Sequence, residues 1–228
     1  MVRRRSLFRV LARGAGVVAV ALACLFIGLV ALYRVRAPVS TLMLARKIEG
    51  KAYERSDVRL KDIAPVAVAS VIASEDARFC LNDGVDWGAL HEVLSGVEGE
   101  PRRGASTITM QTAKNLFLWP GRSVIRKGVE IPMALVLGEA WPKARAIEIY
   151  LNIAEWGDGL FGIEAAAQRY FHKRASELNA REAALLATSL PNPIERNPSH
   201  PKPFQQRLAA ALQAKASRAP EAANCLAR

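Results

Sequence analysis

Cysteine and histidine are both scarce in this chain. Its 228 residues hold three of each. No two cysteines form a C-x-x-C pair, so the sequence gives no reason to expect a Cys/His metal cluster. Acid is missing from residues 1–36, which carry seven arginines: Arg3, Arg4, Arg5, Arg9, Arg13, Arg34 and Arg36. Taking those seven from the formal net charge of +11 leaves +4 for the remainder. That basicity is too mild to mark a nucleic-acid surface. Alternating β-type runs are scarce, and no internal repeat or long low-complexity tract is present. With 51% hydrophobic and 23% charged residues, the composition is that of a globular domain and excludes a disordered chain.

What is present begins with Gly14 to Tyr33, an uncharged stretch rich in Val, Leu and Ala. Its twenty residues would span about 30 Å as a helix, the thickness of a bilayer core. Five arginines precede it and two follow, which places the N-terminus in the cytoplasm and the rest outside. A cleaved signal peptide would share this charge pattern and the Ala-x-Ala spacings. The length of the run and the Tyr33-Arg34-Val35-Arg36 sequence after it favour a retained anchor. The expected organisation is a basic cytoplasmic segment at 1–13, a transmembrane helix at 14–33, a neck at 34–61 and one domain at 62–228.

Helical periodicity dominates that domain. Asp62 to Ala73 reads as a buried helix, with Asp62 as N-cap and Pro65 in its first turn. Trp87–Leu94 reads as a short helix. Ser95–Gly104, with three glycines and a proline, reads as a mobile connection. Further helices are predicted over Ser106–Phe117, Ser123–Glu139, Lys143–Leu151, Gly162–Tyr170, Ala180–Leu190 and 202–217. Pro132 should kink the second of these. The fold class is mainly α. Cys80 and Cys225, placed outside the cytoplasm, could pair or remain unrelated thiols.

Three constellations carry chemistry. Glu75 ends an apolar helical run, where partial desolvation would raise its pKa toward that of a general base; alone, it reads more readily as a solvated helix end. Gly104 to Asn115 leads a glycine into Ser106 and Thr107, which can cap a helix and present hydroxyls and N–H groups to an anion. Lys114 lies about two turns along the same face. Arg126, Lys127 and Glu130 share a helix face at i,i+4 and i,i+3. As surface pairs they would contribute about 0.3–0.5 kcal/mol. With Lys114 and Arg122 they surround an acid with four cations, suited to holding a diphosphate.

The order of these motifs is specific where each alone is weak. Glu75-Asp76-x-x-Phe79 continuing to Gly84-x-Asp86 comes first, then Gly104-x-Ser106-Thr107-Ile108-Thr109-x-Gln111-x-x-Lys114-Asn115. Arg126-Lys127-x-x-Glu130, Ile147-Glu148-Ile149-Tyr150-Leu151-Asn152 and Gly162-Ile163-Glu164-Ala165-Ala166-Ala167 follow. Over about residues 60–200 the sequence resembles the family 51 glycosyltransferases. These are the glycosyltransferase domains of class A penicillin-binding proteins and the monofunctional biosynthetic peptidoglycan transglycosylases. No room remains beside this region for a penicillin-binding transpeptidase domain, so the expectation is the monofunctional type.

The resemblance implies a lysozyme-like α fold that polymerises lipid II with inversion, releasing undecaprenyl pyrophosphate. It assigns Glu75 as the base for the acceptor hydroxyl and Glu130 as the second glutamate on the leaving-group side. Lys114 and Arg122 become pyrophosphate ligands, and Ser106, Thr107, Gln111, Asn115, Arg126 and Lys127 cleft residues. No cofactor is required, although Mg²⁺ or Mn²⁺ on the substrate diphosphate is compatible with the chemistry. The implied partners are lipid II, the growing glycan strand, the inner membrane and cell-division or elongation proteins. Residues Leu116 to Pro120 are candidates for an apolar jaw at the membrane, with core packing as the alternative. Two positions depart from the family pattern: Asn82 stands where histidine is common, and Met110 where glutamine is. Two rival expectations are a glycan-cleaving enzyme of the same fold and a membrane-tethered scaffold with a degenerate site. The first is disfavoured by the four cations, which a neutral leaving group does not need; the second by the intact acids and cations.

Overall fold

A computed structural model describes residues 2–95, 106–121, 123–218 and 225–226. The connection expected over Ser95–Gly104 therefore lies outside the described residues beyond Ser95, and so does Arg122. The chain divides into two compact units, Met1–Arg36 and Ala37–Arg228.

The first unit is one helix, α1 (Val2–Tyr33). Its segment Ala12–Tyr33 has a mean hydropathy of 2.8 and is long and apolar enough to cross a membrane. Val17, Val18, Val20 and Leu22 are all well exposed, so the apolar surface is not confined to one stripe. Such a surface suits lipid on every side.

The second unit is mainly α. Its helices are α2 (Thr41–Ile48), α3 (Pro65–Glu75), α4 (Trp87–Ser95), α5 (Ile108–Phe117), α6 (Val124–Ala140), α7 (Lys143–Ile153), α8 (Ile163–Phe171), α9 (Ala180–Ser189) and α10 (Pro203–Arg218). At its centre lies α7, which buries Ala146, Ile147 and the whole run Ile149–Ile153. A helix apolar on nearly every side belongs in a core. The helix α3 is similar, burying Ala67, Val68 and Ser70 to Ala73 against α9 and α10. Phe79, Trp156 and Phe161 complete the core with essentially no exposure.

Several local expectations are revised. Asp62 does not cap α3. Pro65 occupies the first helical position and Ala64 the cap, while Asp62 closes a 3₁₀ turn at Leu60–Asp62 and meets Arg59 at 3.1 Å. The reason is geometric, because a proline at the first position fixes the start three residues beyond Asp62. Pro132 lies inside α6, which carries on past it as one helix, an arrangement that a proline kink also produces.

The stretch read as a neck holds α2, a strand and the 3₁₀ turn. Strand β1 (Glu54–Arg55) pairs in parallel with β3 (Leu160–Phe161), which pairs antiparallel with β2 (Glu155–Gly157), giving the order β1-β3-β2. Asn152 ties the same stretch to α7, accepting from the Val58 N–H at 2.9 Å and donating to the Val58 carbonyl at 2.8 Å.

One close approach positions the site. A Cβ on Gly138 of α6 would lie 1.9 Å from the Asp83 carbonyl oxygen, and one on Gly84 would lie 2.4 Å from the Ala134 carbonyl oxygen. Gly84 also has φ +115°, a conformation that side chains disfavour. Two glycines thus let the loop after α3 lie directly on α6. The other side of that loop is held by a disulfide between Cys80 and Cys225. The C-terminal helix adds a further brace, with Lys215 Nζ donating to the Ala73 carbonyl at 2.6 Å at the end of α3.

Candidate active site

Glu75 is the last residue of α3, because Asp76 leaves helical geometry at φ −157° and ψ 76°. The Glu75 side chain is half-buried. Its Oε2 accepts from Gln111 Nε2 at 3.1 Å and its Oε1 from Ser74 Oγ at 3.2 Å. Burial raises the Glu75 pKa above the usual glutamate range, and these two hydrogen bonds, with the nearby charges of Lys114 and Arg196, pull it partly back.

Asp76, next in sequence, has a different task. It is buried, and its Oδ2 accepts the Ile108 N–H at 3.1 Å at the start of α5. Asn82 Nδ2 donates to both Asp76 oxygens, at 3.0 and 3.2 Å. The N–H groups at a helix N-terminus attract an anion, and here Asp76 supplies it from within the protein. Thr107 caps the same helix: its Oγ1 accepts the Met110 N–H at 3.0 Å and donates to the Gly84 carbonyl at 2.6 Å. Thr107, expected in the cleft, is therefore buried and its hydroxyl is committed to the cap. Met110 is fully buried in the core and does not face the cleft.

The departure at Asn82 is filled by structure. Besides holding Asp76, Asn82 accepts from Lys143 Nζ through its backbone oxygen at 2.7 Å and its Oδ1 at 3.1 Å. The Lys143 ammonium also lies 4.7 Å from the centre of the Phe79 ring. A positive charge that asparagine cannot carry thus comes from α7. Burial raises the Asp76 pKa and lowers that of Lys143, while the attraction between them opposes both shifts.

On α6, Ser123 caps the helix by accepting the Arg126 N–H at 3.3 Å. One turn on, Glu130 is only 2% exposed and is held on both oxygens. Arg126 Nη1 approaches Oε2 at 2.7 Å, and Lys127 Nζ approaches Oε1 at 2.8 Å. Lys127 also donates to Ser106 Oγ at 2.6 Å, tying α6 to the entrance of α5. The pairs that spacing alone would put on the surface are buried.

Ser106, Gln111, Lys114, Asn115, Arg126 and Glu130 line one cleft of about 460 Å³ with Thr41 and Leu42 of α2. The Thr41 hydroxyl donates to the Asn115 carbonyl at 3.2 Å, so α2 forms a wall of the cleft. Among the described residues, the Lys114 ammonium has no hydrogen-bond or ion-pair partner. Burial lowers the Lys114 pKa, and both Glu130 and Glu75 raise it by attraction. Lys114 thus lies within electrostatic reach of both acids, and Glu75 joins the cleft through Gln111. Leu118 and Trp119 also line the cleft; Leu118 is buried like Leu116, whereas Trp119 is 51% exposed, and at the start of α6 Val124 and Ile125 are 90% and 77% exposed.

Sequence reasoning missed Lys143, Tyr150 and Arg196. Tyr150 falls in a segment that periodicity marks as core, and its hydroxyl donates to Gln111 Oε1 at 3.1 Å. Arg196 lies in the extended tail after α9, where its Nη1 donates to the Thr188 carbonyl at 2.8 Å.

A half-buried carboxylate beside a cleft lined by Lys114 and Arg126 is an arrangement suited to an enzyme site for an anionic ligand. Among the described residues one helix is long and apolar enough to cross a membrane, which is consistent with single-pass anchoring in the inner membrane. A family model described as Transglycosylase matches residues 42–216, and the chain belongs to that family. It is 54% identical over 180 residues to a biosynthetic peptidoglycan transglycosylase of Agrobacterium fabrum, covering 78% of this chain and 80% of that one. A Mesorhizobium japonicum protein of the same description is 51% identical over 230 aligned positions, covering 99% and 97%. A third, from Nitrobacter hamburgensis, is 52% identical over 196 residues, covering 85% and 86%.

Proposed function

We infer that this chain is a peptidoglycan glycosyltransferase that polymerises lipid II, with Glu75 as its base. The observation that carries the reading is the Lys114 ammonium, which has no hydrogen-bond or ion-pair partner among the described residues and lines a cleft in electrostatic reach of both Glu75 and Glu130. A cation in a partly desolvated cleft, with no hydrogen-bond or ion-pair partner among the described residues, is suited to an anionic ligand.

In the proposed step Glu75 takes the proton of the acceptor's GlcNAc 4-hydroxyl. The oxygen attacks the anomeric carbon of the lipid-linked MurNAc, and a C–O bond forms on the face opposite the leaving group. The bond to the diphosphate breaks with its electron pair on the departing oxygen, so the configuration inverts. A diphosphate is already a good leaving group and needs no nucleophilic carboxylate. It needs positive charge, which Lys114 provides directly. Arg126 and Lys127 are held in place by Glu130, whose role is to aim them. Arg122 is assigned to the same diphosphate on the resemblance alone.

Ser106, Asn115 and Gln111 would line the donor path. The described residues group no three His, Cys, Asp or Glu side chains as a metal cage. A divalent cation such as Mg²⁺ or Mn²⁺ would be held by the diphosphate oxygens of the substrate. The same inference covers a lysozyme-like helical arrangement, a cytoplasmic N-terminus, a periplasmic domain and work alongside cell-division or elongation proteins. Trp119, Val124 and Ile125 would form the lip that meets the bilayer, where a lipid-linked substrate stays.

The test is polymerisation of purified lipid II by the full chain, with and without moenomycin, followed by strand analysis. Moenomycin-sensitive β-1,4-linked glycan is the expected product. Cleavage of preformed glycan without synthesis would overturn the reading.

A further inference from the structure

We propose that Tyr150 is a positioning residue for the base, its hydroxyl holding the Gln111 amide so that the NH₂ group faces Glu75. This rests on the assignment of Glu75 above.

The hydroxyl of Tyr150 is deep in the core; the residue is 1% exposed. A buried hydroxyl needs a partner, and this one donates to Gln111 Oε1 at 3.1 Å. The opposite end of the same amide donates from Nε2 to Glu75 Oε2 at 3.1 Å. The three side chains come from α7, α5 and α3, so the chain of hydrogen bonds crosses the domain from its centre to the cleft.

The direction of each bond is fixed by chemistry. An ionised carboxylate only accepts, and an amide offers an accepting oxygen at one end and a donating nitrogen at the other. Turned over, Gln111 would set its oxygen against Glu75 and its NH₂ against the Tyr150 hydroxyl. The O–H of Tyr150 would then lose its acceptor, and two oxygens bearing negative charge would face each other. Burial raises the Tyr150 pKa well above its usual value, so the hydroxyl keeps its proton to donate throughout the working range.

The consequence is a base with one protein donor on each oxygen, Gln111 on Oε2 and Ser74 on Oε1. Each oxygen retains a lone pair for the acceptor hydroxyl. The charged groups around Glu75 are Lys114 from α5, Arg196 from the tail after α9 and Asp76 beside it. None of these fixes the rotation of the Gln111 amide, so without the Tyr150 hydroxyl the amide can turn. It would then no longer hold the carboxylate in its ionised form.

The experiment compares the full chain with Tyr150→Phe, Gln111→Ala, the double variant and Glu75→Gln, in detergent with lipid II across pH, alongside thermal unfolding. Tyr150→Phe should unfold near the parental temperature and lose roughly tenfold in kcat at neutral pH with little change in KM. The acidic limb of its pH–rate profile should move to higher pH, because Glu75 has lost a bond that favours its charged form, and the deficit should narrow toward alkaline pH. Gln111→Ala should move the same limb, and the double variant should move it no further. A parental rate and limb in Tyr150→Phe, a deficit equal at every pH, or additive shifts in the double variant would each overturn the proposal. Glu75→Gln separates the two levels. If it is inactive while Tyr150→Phe is parental, the positioning role alone fails. If it is active, the base assignment fails and this role with it.

Discussion

Arg126 and Glu130 form a buried ion pair at 2.7 Å, with side-chain exposures of 9% and 2%. Spacing on a helix predicts such a pair but not its burial, and burial changes its meaning. A surface pair is nearly dispensable, whereas breaking a buried one strands a charge. Glu130→Ala would leave both Arg126 and Lys127 without their shared acid. The expected cost is about 3–5 kcal/mol in stability, together with loss of polymerisation. Glu130→Gln should retain more of both, since its amide oxygen can still accept one of the two donors. Denaturant unfolding of the two variants checks this, and equal stability in all three proteins would refute it.

Lys114 should behave in the opposite sense. It is desolvated in the cleft with no hydrogen-bond or ion-pair partner among the described residues, so Lys114→Met removes a cation that opposes folding. Unfolding temperature is expected to hold or rise, while polymerisation falls by roughly a hundredfold. A loss of activity that tracked a loss of stability would count against its role as a substrate ligand.

Gly138 tests the docking of the base loop on α6. With only 1.9 Å between an added Cβ and the Asp83 carbonyl oxygen, Gly138→Ala must push the loop away. About 1–3 kcal/mol of destabilisation is expected, with reduced activity in the fraction that folds. Gly128→Ala, where a Cβ meets nothing within 4 Å, is the matched control and should be neutral or slightly stabilising.

The disulfide between Cys80 and Cys225 closes a loop across 145 residues. Constraint of so long a loop in the unfolded chain stabilises typically by about 2–4 kcal/mol. Cys225→Ser should lower the unfolding temperature of the oxidised protein and leave the reduced protein unchanged. Identical melting of oxidised and reduced parent would exclude the bond as a stabilising link.

The helices were legible because their signal is local. Apolar spacing at three and four residues places α5 to α9 within a residue or two of their ends, and Ser123 announces the cap of α6. The three strands are two or three residues long, too short to show alternation, and they pair Glu54–Arg55 with residues over a hundred positions away. Residues 34–61 read as a neck for the same reason, since α2 is held there through the Thr41 contact with Asn115. At the site, the acids and cations stand out because they crowd onto helix faces. What chain order hides is which of them meet. Asp76 occupies the anion position at the start of α5, Lys143 stands behind Asn82, and Tyr150 reaches Gln111, each contact joining residues more than thirty apart.

All of the chemistry depends on Glu75 accepting a proton. The most direct measurement is the rate of lipid II polymerisation by Glu75→Gln, a variant of nearly the same shape that cannot act as a base, with unfolding followed in parallel. The expected result is a folded protein that binds the substrate and makes no glycan strand. Strand synthesis by that variant at the parental rate would contradict the role given to Glu75.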